Sequence, residues 1–492
     1  MLEEEYIKLI FGLKLKQIRT EKELSLFGLS KKSGLSKSYL NEIEKGKKYP
    51  KTDKIIAVAE ALEVSYDELV SLKLDRNLAP VGELLQSNIL KEIPLDHFGI
   101  KKDDLIGIIA DAPLKVNTFI NTLIEIAKYY NLNKENFYLV ALRSFQESHN
   151  NYFPEIEEKA KVFFKEYLSY VEKPSVDDLK EVLAEEYNYV FEKLNVEEAS
   201  TLSELRSIYS PKHKKLFLSE QMDEAQLLFV LAKEIGYNYL QLKERPLTFS
   251  WIKYDSFEEV LNNFYASYFA GALLISEKKL VTKINKLISK NEFDFGYLKK
   301  MIQDFSVSTE TFFQRLTNVL PGKFGIRNLF FLRFTSEAEK LSIKLTKELH
   351  ITNLHEPHAK KSYEHYCRKW ISSKLIERFC QVNDPFLIDA QISVYPSNKS
   401  YFVVASSSKD PFKKNKIRSI GLGILMNSQN AKQIKFLKDS QLVKEMVGVT
   451  CETCLQENCD KRIAEPKWIL QEKYYEQMAN EVEIFMNKLK EN

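Results

Sequence analysis

The stretch LSLFGLSKKSGLSKSYLNEIEKGKKYP, residues 24–50, decides the architecture at the head of this chain. Ser25 stands where a side-chain oxygen can cap a helix that turns Leu26, Leu29 and Ser30 inward. Gly34 permits a tight turn, because a residue without a Cβ enters the left-handed region at little cost. Ser36 caps a second helix, whose Leu40 and Ile43 face the core at helical spacing. Ser36, Lys37, Ser38, Tyr39, Asn41 and Lys45 are then left outward. A recognition helix needs this arrangement, because its early side chains must reach base edges in the major groove of double-stranded DNA. Lys45, Lys47 and Lys48 follow at its end, where backbone phosphates would lie.

The charge distribution agrees. Between Lys14 and Lys54 there are 12 Lys or Arg against 5 Asp or Glu, a local +7 in a chain whose net charge is +3. The remainder is slightly acidic. A small basic domain on a near-neutral body is the electrostatic footprint of a DNA-binding head.

Working outward, 492 residues are too many for one ordinary domain, and two to four are expected. With 44% hydrophobic and 29% charged residues, the chain is neither disordered nor a membrane protein. No run approaches the roughly 18 to 20 apolar residues of a spanning helix. The opening MLEEEYIKLI is acidic and unlike a signal peptide, so a cytoplasmic location is expected.

Four domains are expected. Residues 1–75 form the helix-turn-helix domain. Residues 76–210 read as a helical linker or dimerisation region, with TFINTLIEIAKYY at helical period and a hinge at Pro174. Residues 211–320 open with a possible strand, KLFLS, and continue as helices. Residues 321–492 change texture: NLFFLRF, AQISVY, SYFVVASS and IGLGILM read as strands, and a helix closes the chain over roughly Pro466 to Lys490. The expected fold class is multidomain and mainly α, with a C-terminal α+β domain.

All five cysteines lie in the last quarter: Cys367, Cys380, Cys451, Cys454 and Cys459. An odd number in such a chain argues against a disulfide framework. Cys451, Cys454 and Cys459 form C-x2-C-x4-C, which suits zinc or an iron–sulfur cluster. Three ligands need a fourth. Cys367, Cys380, His365 and a non-protein group are the candidates. A 4Fe-4S cluster tolerates a missing protein ligand better than a closed structural zinc site does. Zinc and free reduced thiols are the alternatives.

Several tracts carry resemblances. SYLNEIEKGKKYP resembles the recognition helix and following turn of the Cro/repressor class; Phe27 and Gly28 stand where a more polar helix start is common. LFLSEQMDEAQLLFVLAKEIGYNYLQL, residues 216–242, resembles the H-E-x-x-H helix of the ImmA/IrrE metallopeptidase-like family. There, two His hold zinc and the Glu acts as general base. Here the matching residues are Lys233, Glu234 and Tyr237, so both imidazoles are gone. The peptidase is therefore degenerate, and no enzyme is expected. LNNFYASYFAGALLIS is similar to the next helix of that family, with small residues Ala266, Ala270, Gly271 and Ala272.

RSFQESHNNYFPEIEEKA, TFFQRLTNVLPGKFGIRNLFFLRF, HYCRKW and GVTCETCLQENCDKRIAEP follow in order. Together with the head and the degenerate motif they resemble the short-chain fatty acyl transcriptional regulators over nearly the whole chain. The resemblance implies control of acyl or propionate metabolism genes, a short-chain acyl-CoA effector and a homodimer. A CoA ligand needs cations for its phosphates and apolar or aromatic slots for the rest. Phe330, Phe331, Arg333, Tyr395, Phe402 and Arg418 are candidates for these, against the plainer reading of a core with surface arginines. Two other readings stay open: an iron–sulfur redox sensor with no acyl ligand, and a metallopeptidase acting on a partner repressor.

Overall fold

A computed structural model describes residues 3–71, 134–195, 202, 205–248, 254–337, 343–351, 365–382, 384–410 and 416–490. The TFINTLIEIAKYY tract, like most of the expected linker, lies outside the described residues. The chain divides into two units, Met1–Phe145 with Asp255–Phe257, and Gln146–Tyr254 with Glu258–Asn492.

The first unit opens with five helices: α1 (Glu3–Glu21), α2 (Leu26–Ser33), α3 (Lys37–Glu44), α4 (Thr52–Leu62) and α5 (Tyr66–Val70). Local chemistry sets their ends. The Ser25 hydroxyl accepts from the Gly28 N–H at 3.0 Å, and the Ser36 hydroxyl accepts from the Tyr39 N–H at 3.2 Å. Between them Gly34 adopts φ +69° and ends α2. Leu29, Leu40, Ile43, Val58 and Leu62 are fully buried. Each such side chain contributes about 1.5–3 kcal/mol. A Cβ on Gly12 would stand 2.3 Å from the Ile43 carbonyl oxygen, so only glycine lets α1 lie this close to the end of α3. A further helix, α6 (Lys134–Ser148), begins where description resumes.

The second unit starts with α7 (Pro154–Tyr167) and α8 (Val176–Tyr187), the latter opened by a reciprocal Ser175–Asp178 capping box. A three-stranded sheet follows, made of β1 (Val190–Lys193), β2 (Ser207–Ser210) and β3 (Lys215–Leu218) in the order β1-β3-β2. β3 is the expected KLFLS strand. β1 and β2 fall inside a segment read as mostly helical, because four residues are too few to show a period of two against flanking helices. Then come α9 (Glu224–Tyr239), α10 (Phe257–Leu274), α11 (Glu277–Ile288), α12 (Phe295–Phe305) and α13 (Thr309–Phe324). α13 runs through Pro321, so the helical region passes the expected boundary by one turn.

The C-terminal part is a six-stranded sheet of β4 (Leu329–Glu337), β5 (Ile343–His350), β6 (Phe386–Val394), β7 (Ser400–Lys409), β8 (Lys416–Leu425) and β9 (Lys444–Met446). Its order is β5-β4-β8-β7-β6-β9, antiparallel except between β6 and β9. α14 (Ile371–Phe379) lies between β5 and β6 in sequence, α15 (Ser428–Gln433) follows β8, and α16 (Lys467–Lys490) closes the chain. Side chains alternate between the sheet's faces. Phe330, Leu332, Phe334, Tyr401 and Val403 form one buried cluster with Trp370, Leu375, Ile376 and Phe379 beside and on α14. The opposite face, carrying Phe331, Arg333 and Arg418, meets α13 through Glu310. Among the described residues, no helix is long and apolar enough to cross a membrane.

Candidate functional site

In the head, Ser36, Lys37 and Ser38 at the start of α3 are exposed, as are Lys47 and Lys48 beyond its end. Tyr39, Asn41 and Lys45 are half-buried. Lys48 pairs with Glu42 at 2.8 Å and lies 5.9 Å from the Tyr39 ring centre. The hydrogen bond and charge of Glu42 raise its ammonium above the ordinary value. Behind this surface the buried Glu44 takes both arms of Arg19, at 2.6 and 2.9 Å, which ties α1 to α3. Phe27 is 58% exposed on α2, with the Lys31 ammonium 5.0 Å above its ring.

On α9, Lys233, Glu234 and Tyr237 are all buried. Glu234 accepts from Arg245 with both oxygens, at 2.6 and 2.7 Å, and from the Tyr189 hydroxyl at 3.0 Å. The Arg245 guanidinium lies between two rings, 3.9 Å from the centre of Tyr237 and 4.4 Å from that of Tyr209. Burial opposes its charge, but Glu234 beside it holds Arg245 firmly protonated. Lys233 donates to the Asn263 side-chain Oδ1 at 2.7 Å, and Tyr237 donates to the same atom at 3.0 Å. Burial, with Arg245, Arg206 and Lys347 adding repulsion against the pull of Glu234, lowers Lys233 to about 7. The carboxylate of the expected general base is thus occupied by a fixed cation.

The six ligand candidates divide between the sheet's faces. Phe330 and Tyr395 lie on the α14 side, each against the Tyr401 ring, at 5.4 and 5.7 Å. They line a small cavity with Leu332, Phe334, Trp370 and Val403. Phe331, Arg333, Phe402 and Arg418 lie on the opposite face. Phe402 packs against Phe293 and Phe436. Arg333 and Arg418 share Glu310, at 3.0 and 2.8 Å.

Four cysteines, Cys367, Cys451, Cys454 and Cys459, line one cleft with Arg368, Lys461 and Arg462. A short 3-10 turn, Cys451–Thr453, presents the first pair. Backbone bonds from Cys367 to Val449 (3.1 Å) and from Cys451 to His365 (2.8 Å) bring the distant CRKW tract alongside. Trp468 on α16 donates to the Cys454 carbonyl at 2.9 Å. Burial pushes the Cys367 thiol up to about 11. His365 is turned to Glu452, at 2.6 Å, and Cys380 is exposed at the end of α14. Of the candidate fourth protein ligands, Cys367 alone lines the cleft. Among the described residues, no three His, Cys, Asp or Glu are placed to hold a single metal ion.

Two family models match. The helix-turn-helix model matches residues 15–69. The head is a helix-turn-helix domain. The IrrE N-terminal-like domain, a peptidase family, matches residues 179–317. The match starts before β1 and ends inside α13, so it includes all three short strands. No curated protein matches the chain. Among solved structures, a Mycobacterium tuberculosis transcriptional regulator is 19% identical, with a TM-score of 0.46, over 66% of this chain and 93% of that one. The restriction-modification controller protein from Aeromonas hydrophila is 35% identical, with a TM-score of 0.13, over 13% of this chain and 94% of that one.

Some residues of the IrrE-like domain and its neighbouring sheet had no signal in the sequence. Arg245 lies eleven positions after Glu234, beyond the end of α9, and no helical spacing links the two. Glu310 opens α13 as an ordinary first-turn acid, yet it faces two arginines from strands far along the chain.

Proposed function

We propose that this protein is a DNA-binding transcription regulator that senses a short-chain acyl-CoA and controls genes of acyl or propionate metabolism. The observation that carries the regulator reading is a helix-turn-helix domain whose recognition helix is capped at Ser36 and leaves Lys37 and Ser38 exposed. The acyl-CoA reading rests on the order of tracts along the chain. It is supported by the Arg333–Glu310–Arg418 group on one face of the sheet. The protein acts as a homodimer in the cytoplasm, and its operator holds two half-sites about one helical turn apart, or a multiple.

The IrrE-like domain serves as scaffold and not as an enzyme. Lys233 and Tyr237 stand at the metal-ligand positions, and Arg245 occupies the carboxylate that would activate water. A zinc-dependent cleavage of casein by the purified protein would overturn this.

Four cysteines around one cleft favour a second input, a 4Fe-4S cluster held by Cys367, Cys451, Cys454 and Cys459. Lys461, Arg462 and Arg368 would offset the charge of its thiolates. Such a cluster supplies sensitivity to oxygen or iron. Anaerobic protein should be brown, absorb at roughly 400 nm and lose that band on Cys454→Ser substitution. Colourless, iron-free anaerobic protein would remove it in favour of zinc or free thiols.

Thermal melting against a panel of acyl-CoAs tests the effector, because a ligand that binds only the native state raises Tm. A selective rise with one short acyl-CoA, with operator affinity changed by the same compound, is expected. Absence of any shift in protein that binds DNA would overturn the acyl-CoA reading alone.

A further inference from the structure

The last helix is anchored at its start and free along the rest. Pro466, just before α16, is buried, and the Trp468 indole N–H donates to the Cys454 carbonyl at 2.9 Å. Lys473 pairs with Glu465 at 2.9 Å across the first turns. Beyond that base, every described side chain from Leu470 to Ile484 is exposed. A helix of 24 residues that packs on nothing is marginal in water, because most helical stability in proteins comes from burying an apolar face.

α16 has such a face. Leu470, Tyr474, Met478 and Val482 follow at intervals of four, and Tyr475 lies beside them. Residues four apart stand above one another on one side of a helix, so the five form a continuous stripe. Each is between 44% and 59% exposed. Glu476, Asn480 and Glu483 fall on the opposite side at helical period. Single apolar side chains on a surface need no explanation, whereas a contiguous stripe marks a place that something covers.

Charge and area narrow the choice of what covers it. α16 carries four Lys and four Glu, a net charge of zero. It therefore has no cationic excess with which to hold DNA phosphates. Its polar side carries Glu476 and Glu483, where a helix that lies on an anionic membrane is basic. A neutral helix does not repel its own copy, and Tyr and Met are enriched where proteins meet. Five half-exposed side chains offer on the order of 500 Å² per chain, or roughly 1,000 Å² for two copies, which reaches the lower bound of a specific interface.

We propose that α16 is the dimerisation element of this protein, the stripe of one chain packing on the same stripe of a second copy in a two-fold contact. The choice of a second copy rests on the homodimer proposed above. Tyr474 and Tyr475 supply rigid anchors, and Met478 stands midway between Tyr474 and Val482. An area at the lower bound makes the dimer dependent on concentration. The bond from Trp468 joins this contact to the cysteine cleft.

The mass of the full-length protein, measured by sedimentation over a range of concentrations, tests the proposal. The wild type should have the mass of two chains at high concentration and move towards one on dilution. Met478→Glu and, separately, Tyr475→Glu place an unpaired charge in the contact and should weaken association by about 100-fold or more. Glu476→Gln, on the opposite side, should associate like the wild type. All three positions are exposed in the single chain, so each variant should match the Tm of dilute, monomeric wild type. A wild-type dimer that both Glu variants leave intact would overturn the role of α16 and keep the homodimer. Glu476→Gln dissociating the dimer as fully as Met478→Glu would overturn the stripe as its contact surface. A wild type that stays a single chain at every concentration would overturn both the stripe contact and the homodimer.

Discussion

Arg19 and Glu44 in the head, and the group around Glu310 in the second unit, are both made of buried arginine and glutamate. In the head one guanidinium meets one carboxylate with two short bonds, and both side chains are nearly sealed from water. Around Glu310 one carboxylate meets two guanidinia, with Lys347 and a third arginine, Arg206, adding their charge. The first arrangement is neutral and self-contained, and its work is to fasten α1 to α3. The second gathers guanidinia from two strands onto one carboxylate of α13. A pair confined to two helices fastens one contact, and a shared carboxylate fastens two strands to a helix at once.

The comparison breaks most visibly at Arg19. Arg19→Met leaves Glu44 buried without its cation, and removing one partner of a buried pair costs about 3–5 kcal/mol. Chemical denaturation should show that loss in the head, together with lost operator binding. A loss under about 1 kcal/mol would mean that Glu44 finds water, and the pair would no longer serve as the architectural standard. Titration of Lys233 in the second unit gives the opposite sign. An unfolded lysine titrates near 10.5, and the buried Lys233 titrates near 7. Between those values the unfolded chain holds more protons, so stability of the ligand-free protein rises with pH through that window. Lys233→Met should flatten the rise and stabilise the protein at pH 7 by at least about 1.4 kcal/mol, the worth of one pKa unit. A profile that falls above pH 7 in the wild type would mean that Lys233 is not held in its neutral form by burial.

Smaller effects sharpen the head. The Ser36 cap contributes about 1 kcal/mol, so Ser36→Ala should lower the melting temperature of the head by a few degrees. It should weaken DNA binding further, because the first turn of α3 is also the part nearest the bases. Ser36→Asp should restore most of the stability without restoring DNA affinity, since its charge repels phosphate.

The head was legible because its rules are local. Ser25, Gly34 and Ser36 each act within three residues, and the structure shows all three at their expected work. The six-stranded sheet was legible in part: four apolar tracts became β4, β6, β7 and β8, but the pairing order depends on contacts across eighty residues. The failed zinc motif could be read from Lys233 and Tyr237. Its replacement could not, since Arg245, Arg206 and Lys347 approach α9 from beyond any periodic spacing. Phe330 and Phe331 are neighbours on a strand, so strand period alone already placed them on opposite faces of the sheet.

Lys47 and Lys48 bring the same contrast to the DNA surface at its smallest scale. Both are exposed just past α3, but Lys48 pairs with Glu42 and Lys47 has no such partner among the described residues. A lysine that neutralises a phosphate releases about one counterion, so its removal lowers the slope of log affinity against log salt by about one. Lys47→Ala should show that full change. Lys48→Ala should change the slope by clearly less, because Glu42 already claims part of its charge, and Glu42→Gln should raise affinity. Equal slopes for the two lysine variants would mean that Glu42 releases Lys48 on the DNA. The ion pair seen in the free protein would then be a resting contact that the phosphate replaces.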